Sequence, residues 1–250
     1  MLQASTIQLL RIKFSFFLMP VYWFAISQIN EINVLNAVLI FIILHFFIYP
    51  ASNGYNSYMD RDKGSIGIVE RPMMPTKQLF YTSNVLDFIG LFSSLFISYY
   101  FFIALFMVYH GSNILKPIKI SFLPIIASIL MVGSFYPLTQ IYQHRQDKED
   151  GVKTISMLLG YNGTFIFSAI CYFSSMLFMG YYFAGNLELD RFLVLISIMF
   201  PTLLFFLWWF IAVKKNTAAA NFKNAMKMNW IAACCSNVGF LVILLMKEKF

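Results

Sequence analysis

Asn56 and Asp60 stand four residues apart, and Gln143 and Asp147 repeat that spacing. In a helix it places one amide and one carboxylate on a common face. Such oxygen donors suit Mg²⁺, a hard cation that keeps several waters and binds substrate phosphate alongside protein ligands. Basic residues accompany each pair: Arg61, Lys63 and Arg71 near the first, Arg145, Lys148 and Lys153 near the second. Guanidinium and ammonium groups are the natural partners of phosphate oxygens. The two segments, 53–72 and 140–154, hold Asp60, Asp62, Glu70, Asp147, Glu149 and Asp150, six of the eleven acidic residues. Taken singly, either segment also reads as a helix end with a solvated charged loop. Their recurrence points instead to a shared metal and phosphate site.

The elements that must position these residues are membrane helices. Hydrophobic residues make up 60% of the 250 positions and charged residues 12%, against about 25% charged in soluble domains. Mean hydropathy is +0.71. A bilayer core needs about 20 apolar residues per helical span. That rule predicts seven, near 14–29, 34–56, 79–109, 119–143, 157–184, 191–213 and 228–246, with Gly90 as a candidate break in the third. The first has a basic flank like a signal peptide, but no small-x-small cleavage pattern follows it, so it reads as retained. Gly64 and Gly67 are expected to end the first site helix. Gly151 should end the second, and Thr154 should cap the helix that follows.

Charge gives an orientation. With the N-terminus in the cytoplasm, the inside segments carry 13 of the 18 Lys and Arg, as the positive-inside bias requires. Both polar segments then face the cytoplasm. The net charge of +7 follows from those loops, and none is long enough for a nucleic-acid-binding domain. Cys171, Cys234 and Cys235 lie in apolar runs and read as packing residues. His144 reads as an interfacial residue and Asp87 as a structural contact between helices.

The run Asn56-Ser-Tyr-Met-Asp60-Arg-Asp62, followed by Glu70-Arg71-Pro72, resembles the first aspartate-rich motif of the UbiA superfamily of intramembrane prenyltransferases. Asp147-Lys-Glu-Asp-Gly151-Val-Lys153-Thr is similar to that family's second motif, and Tyr136-Pro-Leu-Thr-Gln-Ile-Tyr-Gln-His144 is similar to a bacterial branch of it. The resemblance covers roughly 20–75 and 120–165, with the remainder matched by hydropathy alone.

It implies an all-α polytopic bundle, one integral-membrane domain over 1–250, in a bacterial cytoplasmic membrane. It also implies Mg²⁺ and transfer of a prenyl group from a polyprenyl diphosphate to an aromatic or other lipid-soluble acceptor. Asp60 and Asp147 would be the catalytic carboxylates, with Asn56, Asp60, Asp62, Gln143 and Asp147 as metal ligands. Arg71, Arg145 and Lys153 would bind diphosphate.

The chain departs from the pattern at three acidic positions, occupied here by Ser57, Gly64 and Gln143. It is also two helices short of the family's usual nine, a gap that a dimer would close. Two other readings therefore stand beside the enzyme: a non-catalytic family member that binds an isoprenoid or quinone-like lipid, and a small transporter or scaffold.

Overall fold

The computed structural model describes residues 1–28, 32–61, 64–98, 101, 122–149 and 151–247. Six helices among these are long and apolar enough to cross a membrane: Ala4–Ser27, Val34–Asp60, Phe122–Gln140, Ile155–Gly185, Leu189–Lys215 and Phe222–Met246. The described residues contain no strand. The chain is thus an all-helical membrane protein. The expected third span begins as a 19-residue helix, Lys77–Leu95, which is not among those six, and much of its remainder lies outside the described residues. The chain divides into two compact units, residues 1–22 with 28–119 and residues 23–27 with 120–250.

The first unit opens with α1 (Ala4–Leu9), a 3₁₀ stretch Ile12–Phe17 and the start of α2 (Met19–Ser27), whose last five residues belong to the second unit. Arg11, at φ 47°, breaks the path between α1 and the 3₁₀ stretch. Next, α3 (Val34–Ile42) is capped by Asn33, whose side chain accepts from the Asn36 N–H at 3.0 Å. One π turn, Ile43–Ile48, leads into α4 (Tyr49–Asp60). Pro50 explains its position. Proline has no N–H to give the carbonyl four residues back, that of Phe46, and the helix takes a wider turn just before it.

Helix α5 (Lys77–Leu95) runs through Gly90, the candidate break, without interruption. Gly90 is there for proximity, since a Cβ at that point would lie 2.6 Å from Ile48 Cδ1. Gly54 of α4 plays the same part, with Ser83, Leu10 and Leu79 crowding the space a Cβ would fill. Leu9, Leu10, Ile66, Val69 and Leu79 form the adjoining core.

The second unit comprises α6 (Phe122–Gln140), the short α7 (His144–Glu149), α8 (Ile155–Gly185), α9 (Leu189–Lys215) and α10 (Phe222–Lys247). Its core joins Phe24 of α2, Ala127 of α6, Met179 and Phe183 of α8, Leu195 and Met199 of α9, and Phe240 and Ile243 of α10. Polar ties run through the apolar packing. Ser175 Oγ of α8 donates to the Ala127 carbonyl of α6 at 2.6 Å. Trp209, fully buried, packs edge-on to Phe165 and donates its indole N–H to the Ala219 carbonyl at 2.8 Å. That bond secures the turn between α9 and α10.

Candidate functional site

Each polar segment belongs to a different unit. In the first, α4 ends at Asp60, and the left-handed residue that stops it is Arg61, at φ 50°. The expected stop at Gly64 comes too late. Arg61 N–H still reaches the Ser57 carbonyl at 3.3 Å, and its guanidinium lies over the Tyr58 ring, contacts that help hold a conformation most side chains avoid. Asn56 and Asp60 share an exposed face as their spacing requires. Asp62 lies outside the described residues. Ser57, at one of the departing motif positions, faces the other way. It is 3% exposed, and its hydroxyl finds no partner among the described residues.

The loop after α4 folds back on α1. Ile66 and Val69 exchange backbone hydrogen bonds of 2.8 Å across a tight turn whose Gly67 has φ 52°. Arg11 Nη2 donates to the Asn53 carbonyl at 3.2 Å. Gln8 holds the exit, giving Nε2 to the Arg71 carbonyl (3.3 Å) and accepting from the Met73 N–H (2.8 Å). The Arg71 side chain is left exposed.

In the second segment α6 stops at Gln140, earlier than the expected 143, and a turn over 141–143 precedes α7. The pairing at i, i+4 survives that turn, because the Asp147 N–H bonds the Gln143 carbonyl at 2.9 Å. Asp147 Oδ2 also accepts from Thr154 Oγ1 at 3.2 Å. Thr154 caps α8 as expected, accepting from the Met157 N–H, so it ties the carboxylate to the start of α8. Gly151, at φ 70°, reverses the chain between them. Arg145 is spent on Glu149 at 3.1 Å, both exposed, a pairing worth little in water. Lys153 is exposed.

One arrangement was not anticipated from sequence. His144 Nε2 lies 2.7 Å from Ser156 Oγ, which lies 3.1 Å from Thr164 Oγ1. Thr164 donates to the Gly160 carbonyl at 2.7 Å. Ser156 and Thr164 are fully buried. Each hydroxyl has one proton to give, so the shortest bonds order the chain: His144 donates to Ser156, Ser156 to Thr164, Thr164 to Gly160. This assigns the proton to Nε2 and leaves Nδ1 as the acceptor. Burial pushes the His144 pKa below its ordinary value, and the Asp147 carboxylate pulls it partly back. The ring stacks on Tyr161, centroids 4.8 Å apart. A histidine twelve residues from its serine carries no local signal.

Taken separately, each unit offers one amide and one carboxylate of the type Mg²⁺ accepts, leaving most of the ion's coordination to water and phosphate. Among the described residues no three His, Cys, Asp or Glu converge on one point. The donors fit the ion in kind and are few in number. Compared with known proteins, the chain matches no family model, no curated protein and no solved structure.

Proposed function

We propose that the chain is a membrane prenyltransferase of the UbiA type, acting on a polyprenyl diphosphate and a lipid-soluble acceptor. The observation that supports it most is the exposed Asn56–Asp60 face at the end of an apolar helix, echoed by Gln143–Asp147. On this reading the N-terminus and both polar segments are cytoplasmic, which requires the expected third span, 79–109, as a crossing in addition to Phe122–Gln140, since an even number must separate the two segments. Mg²⁺ would supply charge neutralisation at the leaving diphosphate, held by Asn56, Asp60 and Asp147 with Asp62 and Gln143. Arg71, Arg145 and Lys153 are the candidate diphosphate contacts, and Arg145 would have to leave Glu149 to serve, a small cost for an exposed pair. The allylic C–O bond breaks, its electron pair leaves with the diphosphate, and the acceptor forms the new C–C bond and loses a proton. The apolar bundle keeps water from the allylic cation.

Purified protein with prenyl diphosphates and a total lipid extract tests this. Diphosphate release that needs Mg²⁺ and is lost in both Asp60→Asn and Asp147→Asn is the expected result. Release unchanged in either variant would rule out the two-motif site.

The burial of Ser57 favours a second reading. That hydroxyl lies on the packing face of α4 and cannot replace the missing carboxylate beside Asn56. A protein that binds an isoprenoid without chemistry would retain the lipid in EDTA and release no diphosphate.

A further inference from the structure

Within the second unit, α6, α8, α9 and α10 line a partly open cavity of about 20 Å³. Ser168 of α8 and Thr202 of α9 line it. They are 1% and 2% exposed, and neither hydroxyl has a hydrogen-bond partner among the described residues. Serine and threonine inside a spanning helix ordinarily bond the carbonyl four residues back, as Ser128, Ser197 and Ser236 do here. Ser168 and Thr202 forgo that bond, on different helices, beside the same space. Ser134 of α6 also lines it, and its hydroxyl donates to the Met131 carbonyl at 2.7 Å, so its oxygen can still accept.

Inside a bilayer no bulk water satisfies such groups, and an orphaned hydroxyl is costly. The size decides what can. A single water needs roughly 10–15 Å³ and two to four polar partners, whereas an organic ligand needs about 300 Å³ or more. This cavity meets the first requirement and falls far short of the second. We propose that it holds one buried water, bonded to Ser168 of α8 and Thr202 of α9, which pins the two helices together. The water accepts from the two hydroxyls and donates to Ser134 Oγ, so one molecule satisfies both orphans.

The test uses full-length protein in nanodiscs carrying Ser168→Ala, Thr202→Val, or both. Each single change removes one of the water's three partners and should lower Tm by about 2–4 °C. The double change leaves a dry apolar space with nothing unpaired, so its Tm should lie no lower than that of the worse single. Additive losses, or single variants with unchanged Tm, would overturn the proposal. Pressurised xenon gives an independent readout, because it enters dry apolar cavities. It should occupy the double variant and not the unmodified protein. Xenon in the unmodified cavity would show that it is dry, and the proposal would fall. A density map of the unmodified protein should show one oxygen bonded to both hydroxyls, and empty or elongated density there would equally overturn it.

Discussion

His144 sits outside the spans, where water is available, yet its ring is taken up by Ser156 and Tyr161. The residue that anchors this chain is Ser156, since it both accepts from His144 and donates to Thr164. Ser156→Ala should cost about 1–3 kcal/mol, because it leaves a half-buried N–H without an acceptor. Thermal unfolding measures the loss. A change under about 0.5 kcal/mol, the usual range for an unremarkable site, would mean the chain carries no strain-bearing bond. Sequence showed the amide–carboxylate pairs because each lies within one helical turn. It could not show His144–Ser156 or Arg11–Asn53, because side chains meeting across loops leave no periodic trace.

Helices and their ends obey the same distinction. Hydropathy runs through 157–184 without interruption and so reads as one rod. The structure has Gly160 at φ 66° and ψ 178° inside it, a conformation nearly restricted to glycine. Nothing lies within 4 Å of where its Cβ would be, so any penalty for substitution is one of backbone strain. Gly160→Ala should therefore destabilise by about 1–3 kcal/mol. Gly133→Ala, in regular helix with equally open surroundings, should not destabilise at all, and equal Tm for the two variants would contradict this account. A core substitution sets the scale. Trp209→Ala removes a fully buried ring and the indole bond to Ala219, and should cost about 3–5 kcal/mol. The end of α4 was misjudged for a related reason. Glycine is the usual left-handed stop, and Arg61 takes that role instead. An arginine in such a position gives no warning in the sequence.

For the molecule as a whole, composition was the most legible level. Apolar runs of bilayer length gave the helical class and five of the six spanning segments within a few residues. The first was foreseen only in its second half, since Ala4–Leu9 is short and Arg11 interrupts it. The segment from Lys77 is too mixed in character for hydropathy to settle. The proposed orientation rests on lysine and arginine placement and has its own test. With exposed Cys234 replaced by serine, cysteines at Lys148 and Asn216 should react with an impermeant maleimide only from the cytoplasmic side. One at Leu187, 94% exposed, should react only from outside. The reverse pattern would invert the proposed topology and place the Asn56–Asp60 face away from cytoplasmic substrates.

The π turn at Ile43–Ile48 carries a consequence for anyone comparing this chain with others. It uses one residue more than a regular helix would over that rise, and one residue corresponds to about 100° of rotation. A helical wheel drawn straight through 34–60 therefore assigns Asn56 and Asp60 to the wrong quadrant relative to Val34–Ile42. An alignment against a chain lacking the turn should open a single-residue gap there, upstream of the motif. Deleting one residue from the turn would swing the whole Asn53–Asp60 face around the helix axis without altering a letter of it.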